Sequence, residues 1–330
     1  MEIRTLDPAS AADAAAWYDV YASAAKHDLP CGPWWLEHEV QVAHETTEYR
    51  QHTRWLAEES GLPVGAALSR FPLTDNLRLA EVEIYVRPEW RRRGIGWALF
   101  TEMERHANDH GRSSLLAVVS GPLKAESVPG SAFAGRLGFI GRNIEIRRVQ
   151  RAPFQLGRLA ELEQEALPRS AGYRLESWRH RVPPEHLAGY ARLAGRMSTD
   201  APLGDLDYEP EVWDPARVLA TEQRRARMDR EWWCTVAVAP DGSLAGMTEI
   251  MAARKNNRDA YQGDTIVDRD HRGHRLGLLL KVANLRALLA DRPDVSSIWT
   301  WNAESNRFMI SVNEKLGYVK AGWELMYQRG

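Results

Sequence analysis

At 330 residues the chain is long for a single hydrophobic core and suits about two domains of roughly 150 residues each. Hydrophobic residues make up 44% and charged residues 27%, and the net charge of −2 provides no basic field to attract nucleic acid. Charges break the apolar runs well short of the roughly 20 residues of a membrane span, and MEIRTLDPAS at the start has no signal-peptide core, so a cytoplasmic protein without a membrane partner is expected.

Taken in chain order, Arg54–Glu58 and Val64–Arg70 flank Ser60-Gly61-Leu62-Pro63 as a predicted hairpin. Leu79–Val86 follows as a strand, with Glu81 and Glu83 alternating against Val82 and Ile84. Trp97–Asn108 has helical spacing, and Ser114–Val119 is rich in β-formers. Phe154–Leu167 reads as a helix between Pro153 and Pro168, and Tyr173–Trp178 as a fresh first strand. The second half then echoes the first. Strands are predicted at Trp233–Val238, Leu244–Met251, Asp264–Val267 and Ser297–Trp301, with a turn at Asp241-Gly242 and a helix over Leu278–Ala290.

The echo extends to individual residues. VRPEWRRRGIGWAL at 86–99 and VDRDHRGHRLGLLL at 267–280 match Val86 with Val267, Arg91 with Arg272 and Gly96 with Gly277, each at the same offset. RLGF (136–139) and KLGY (315–318) repeat in the same order further on. The implied division is a domain over 1–152, a linker helix over 153–172 and a second domain over 173–330. Cys31 and Cys234 are too few for a disulfide framework or a zinc site and read as free thiols, at least partly buried. No third ligand stands near His271 and His274, so no metal is expected.

A strand running through an arginine- and glycine-rich turn into a helix builds an anion site, because free backbone N–H groups and the helix N-terminus converge there. RRRGIG at 91–96 has that form and recurs one domain later. The V-x-P-x-x-R-x-x-G-x-G pattern, with LG(F/Y) downstream, resembles the acetyl-CoA loop of the GNAT superfamily of N-acetyltransferases. The resemblance covers both halves. It implies an α/β (α+β) fold: two tandem domains, each a mixed, mostly antiparallel sheet flanked by helices, with middle strands that splay around the coenzyme. It assigns coenzyme contacts to Val86, Arg91, Arg92, Arg93, Gly94, Ile95, Gly96 and Trp97. In the second half they fall to Val267, Arg272, Gly273, His274, Arg275, Leu276 and Gly277.

The second loop departs from the pattern, since Arg275 stands at the family's first glycine. Either the turn is regular there or the loop is reshaped; Arg275 and His274 are then candidates for direct phosphate contact. Amine attack on a thioester needs a base, for which Asp264 and Glu83 are candidates, each three residues before its matched valine. Glu249 and Glu81 rank below them. The tyrosine acid of many family members would fall at Asn313 and Ala134, so neither half keeps it, and Tyr318, Tyr327 or plain water is a candidate substitute. Asn313 is a candidate to hydrogen-bond the sulfur or the pantetheine but cannot serve as an acid; Asn302 and Asn306 suit the pantetheine amides and also read as a strand end and a helix cap. The expected activity is acetyl-CoA-dependent N-acetylation of a small-molecule amine, with the C-terminal half catalytic and the chain a monomer or homodimer. A silent acyl-CoA-binding protein and a protein acetyltransferase are the alternatives.

Overall fold

A computed structural model of the protein describes residues 1–255 and 258–330. In chain order the elements are β1 (Glu2–Thr5), α1 (Ala11–Asp28), α2 (Glu37–Ala43), β2 (Arg50–Glu59), β3 (Leu62–Pro72), β4 (Leu79–Val86), α3 (Ile95–Asp109), β5 (Ser114–Pro122), α4 (Pro129–Arg136) and β6 (Ile140–Arg151). They continue with α5 (Leu156–Ala166), β7 (Arg174–Arg179), α6 (Leu187–Asp200), α7 (Pro215–Arg227), β8 (Arg230–Val238), β9 (Leu244–Ala253) and β10 (Asp259–Val267). The chain ends with α8 (Leu276–Asp291), β11 (Ser297–Ala303), α9 (Arg307–Lys315) and β12 (Val319–Arg329).

The chain forms two compact units, each a mixed, mostly antiparallel sheet with helices on both faces. The first comprises Met1–Ile144, Gly204–Glu209 and Gly322–Gly330. Its strands run in the order β1-β2-β3-β4-β5-β12, antiparallel except for β4 beside β5. Side chains alternate between faces with a period of two. Trp55, Ala57 and Ala67 therefore meet Leu99, Phe100 and Met103 of α3. Leu56, Ala66 and Leu68, one residue out of phase, meet Trp17 and Val20 of α1. With both faces covered, β3 is apolar almost throughout.

The second unit comprises Glu145–Leu203 and Pro210–Ala321. Its order is β6-β11-β10-β9-β8-β7, again with one parallel pair, β10 beside β11. Trp233, Ile250 and Ala252 face α8, whereas Trp232, Cys234 and Met247 face α6 and α7. Helix α8 is buried on almost every side, as an apolar helix at the centre of a core must be.

The units differ from the division read in the sequence. Residues 145–152 belong to the second unit, and 204–209 and 322–330 to the first. The reason is backbone hydrogen bonding: β6 supplies the antiparallel partner of β11, and β12 that of β5, so neither parallel strand is left as an open edge. Helices α1, α2, α6 and α7 are additions to the predicted elements, and β10 begins at Asp259 rather than Asp264. The thiols also need correction: Cys234 is buried, but Cys31 is exposed, on a loop that gives it no apolar cover.

Candidate functional site

In each unit one strand pair is joined for only three rungs. Strand β4 pairs with β5 from Leu79↔Ser114 to Glu81↔Leu116, yet runs on to Val86. Strand β10 pairs with β11 from Asp259↔Ser297 to Tyr261↔Trp299, yet runs on to Val267. Beyond those rungs the strands part, leaving a gap whose walls carry free peptide groups. Val86 and Val267 end their strands at the mouths of the two gaps.

The loops after the gaps share one conformation. After a short turn, Arg91 Nε donates to Val86 O at 3.1 Å and its guanidinium forks onto Asp28, the last residue of α1, at 2.8 and 2.8 Å. Arg272 Nε donates to Val267 O at 3.3 Å, and its Nη2 to Asp200, the last residue of α6, at 2.8 Å. These two arginines brace the loop. Among the described residues nothing accepts a hydrogen bond from the backbone N–H groups of Arg92–Trp97 or Gly273–Gly277. Each loop thus presents a row of unpaired donors at a helix N-terminus, which fits the diphosphate of a coenzyme.

Both loops place two residues in the left-handed region, with glycine and arginine exchanged. The first has Arg92 at φ 65° and Gly94 at 83°; the second has Gly273 at 87° and Arg275 at 55°. The turn at Arg275 is therefore not regular, and the side chain pays a steric cost. Its guanidinium lies against Glu165 of α5, which also accepts from Lys315 at 2.8 Å, and His274 Nδ1 meets Arg169 O at 2.9 Å. Protein atoms thus already engage both side chains proposed for phosphate contact. In the first loop Arg93 lies 4.5 Å over the Trp90 ring and Trp97 is exposed, while Ile95 and Leu276 are core residues opening α3 and α8. Arg275→Gly should raise stability by about 1 kcal/mol, because relief of the left-handed backbone exceeds the loss of a half-exposed ion pair. The denaturant midpoint reads this out.

In the first unit a cavity of about 340 Å³ opens at the gap, lined by Glu83 and Tyr85 of β4 and Val118 and Ser120 of β5. Glu83 accepts from Arg70 Nη2 at 2.9 Å and from the Tyr85 hydroxyl at 2.8 Å. Burial works upward on Glu81, but the adjoining Arg70 guanidinium overcomes it and holds this carboxyl below its ordinary range. A larger cavity, about 670 Å³, borders Ser10, Gln41 and Arg54 and includes no residue of β4 or β5.

In the second unit the two carboxylates part company. Glu249, on β9, accepts from Trp232 Nε1 at 2.6 Å, the Tyr190 hydroxyl at 3.0 Å and Arg225 Nη2 at 2.9 Å. The Asp264 carboxylate makes no hydrogen bond to any described residue. Burial, with the Glu249 charge adding to it, pushes its carboxyl up to about 7. A register shift between Gln262 and Thr265 brings it there, and the bulge leaves Gly263 against the Glu249 side chain.

The remaining candidates lie deeper. Asn306 caps α9, accepting from Met309 N at 3.2 Å. Asn302 accepts from Asn313 Nδ2 at 2.6 Å, and Asn313 accepts from Lys281 Nζ at 2.8 Å. Tyr318 is packed in the second unit's core with its hydroxyl pKa raised by burial, and Tyr327 is a core residue of the first unit, so neither is placed as an acid at the second gap. Sequence reasoning missed Tyr190, Arg225, Trp232 and Lys281, which sit in no motif. Among the described residues no group of three or more His, Cys, Asp or Glu could hold a metal ion, and no helix is long and apolar enough to cross a membrane.

Residues 16–129 match the acetyltransferase (GNAT) family. The mycothiol acetyltransferase of Salinispora arenicola (strain CNS-205) is 28% identical over 276 residues, covering 80% of this chain and 78% of that protein. A solved tandem GNAT protein from the clavulanic acid biosynthesis pathway superposes with a TM-score of 0.82 at 28% identity, over 99% of this chain and 98% of that one. A GCN5-related N-acetyltransferase from Sphaerobacter thermophilus shares the fold, with a TM-score of 0.65 at 16% identity, over 99% and 95% of the two chains.

Proposed function

We propose that this chain, a tandem member of the GNAT acetyltransferase family, uses acetyl-CoA to acetylate the amine of a small molecule, and does so in its second unit. The observation that carries this reading is Asp264. It is an unpaired carboxylate at the gap, poised near neutrality, where a general base works best. Acetyl-CoA would lie with its diphosphate on the N–H row of Gly273–Gly277 and its arm along the free edge of β10. The amine nitrogen attacks the acyl carbon, the C–S bond breaks with its electron pair on sulfur, and the proton shed by nitrogen passes to Asp264.

One experiment tests the proposal: thiol release from acetyl-CoA across a broad panel of amines. Turnover that rises with pH through about 7 supports it, whereas coenzyme binding without turnover on any amine overturns it. The first unit offers a second reading, because the cavity of about 340 Å³ joins Glu83 and Tyr85 to its gap. There the Glu83 carboxylate is already engaged by the Arg70 guanidinium and the Tyr85 hydroxyl, whereas that of Asp264 has no hydrogen-bond partner among the described residues.

A further inference from the structure

The second unit buries an ammonium group where the first buries a hydrocarbon. Lys281, on α8, is 2% exposed, and the residue at the matching repeat position is Phe100, 3% exposed. Asn313, on α9, is likewise fully buried, and its counterpart is Ala134, at 5%. Packing is therefore satisfied by apolar side chains at both positions, and the polar pair costs desolvation that the fold does not require. No carboxylate compensates it: among the described residues Lys281 meets only the Asn313 amide oxygen and, 5.6 Å away, the Tyr318 ring. Burial alone pushes the ammonium down to about 7.

The hydrogen bonds run in one direction. Lys281 Nζ donates to Asn313 Oδ1 at 2.8 Å, and Asn313 Nδ2 donates to Asn302 Oδ1 at 2.6 Å. Asn302 Nδ2 has no acceptor among the described residues. Asn302 lies on β11 three residues past the last rung to β10, so the chain of donors ends at the gap. Each bond polarises the next, carrying positive potential from the buried cation to the open end. The base lies on the other side: Asp264 feels Glu249, which is held by Tyr190 of α6 and Arg225 of α7, whereas the relay is built on α8 and α9.

Resting on the reading of an acyl thioester in this gap, we propose that Lys281 is a positioning residue whose charge, conducted through Asn313 and Asn302, stabilises the coenzyme thiolate as it leaves. The amine arrives from the Asp264 side. The sulfur takes the C–S electron pair on the relay side and later picks up a proton from water. The donors are fixed before the charge develops, which is the arrangement that lowers a barrier most.

The test needs no acceptor amine. Coenzyme A and its S-methyl thioether are titrated at about pH 7 into the full-length wild type, Lys281→Met and Asn313→Leu, with the ultraviolet thiolate absorbance recorded. The wild type should bind coenzyme A about tenfold more tightly than the thioether and show the thiolate signal, a preference in the range of one charge-assisted hydrogen bond. Both variants should bind the two ligands alike and lose the signal, while Lys281→Met keeps or raises Tm because it removes a buried charge. The first unit contributes equally to all three proteins, so the difference reports on the second. A thiolate preference retained by both variants overturns the relay alone, as does a wild type that binds both ligands equally. A wild type that binds neither overturns the coenzyme reading itself.

Discussion

Asp264→Asn is expected to lower kcat by about 10²–10⁴-fold while leaving the KM for acetyl-CoA nearly unchanged. The amide is isosteric and keeps the strand and its bulge, but it cannot take a proton. The wild-type rate should climb as pH rises through about 7, where Asp264 ionises, and the residual rate of the variant should lack that limb. Stability should move the other way. The Asp264 carboxyl is raised from its ordinary value of 3.8 to about 7, so the folded state holds the proton more tightly than the unfolded chain. That contribution is complete below about 3.8 and is lost as pH rises towards 7, above which a buried charge is a standing penalty. Asp264→Asn should therefore raise Tm above pH 7 and leave it unchanged in acid. If Asp264→Asn keeps full turnover while Glu83→Gln abolishes it, the chemistry belongs to the first unit.

Glu249→Leu should cost about 3–5 kcal/mol, because it leaves the buried Arg225 guanidinium without its carboxylate partner, beside the Trp232 ring 5.0 Å away and the Tyr190 hydroxyl. It also removes the acceptor of the Tyr190 hydroxyl and the Trp232 indole. Equilibrium unfolding in urea measures the loss. Glu249→Gln should be milder in stability and informative in kinetics. Its charge is one of the causes that raise Asp264, so its removal should move the acid limb of the rate profile below 7. A limb that stays in place would mean that the Glu249 charge does not help to set the Asp264 value. The contrast separates a carboxylate that holds the site together from one proposed as the base, a distinction the sequence does not show for two acids on neighbouring strands.

What the sequence determined by itself was local. The order of strand, arginine–glycine turn and helix was legible twice, because a left-handed turn needs glycine within a few residues of the helix it opens. The matched Val86 and Val267, Arg91 and Arg272, and Asp264 just upstream were found through spacing along the chain. The family resemblance to GNAT proteins followed from the same short segments. Tertiary structure decided everything that depends on residues distant in sequence. The place of β6 and β12 was set by which parallel strand lacked a partner, a matter of backbone hydrogen bonds that no residue type announces. Arg275 was legible as an oddity, but its left-handed φ and its contact with Glu165 required the packing of α5. The roles of Glu249 and Asp264 separated only when α6 and α7 brought Tyr190 and Arg225 to one and not the other. Lys281 looks like any lysine on a helix until α9 brings Asn313, 32 residues on, to its ammonium in the buried core, where desolvation turns an ordinary charge into a poised one.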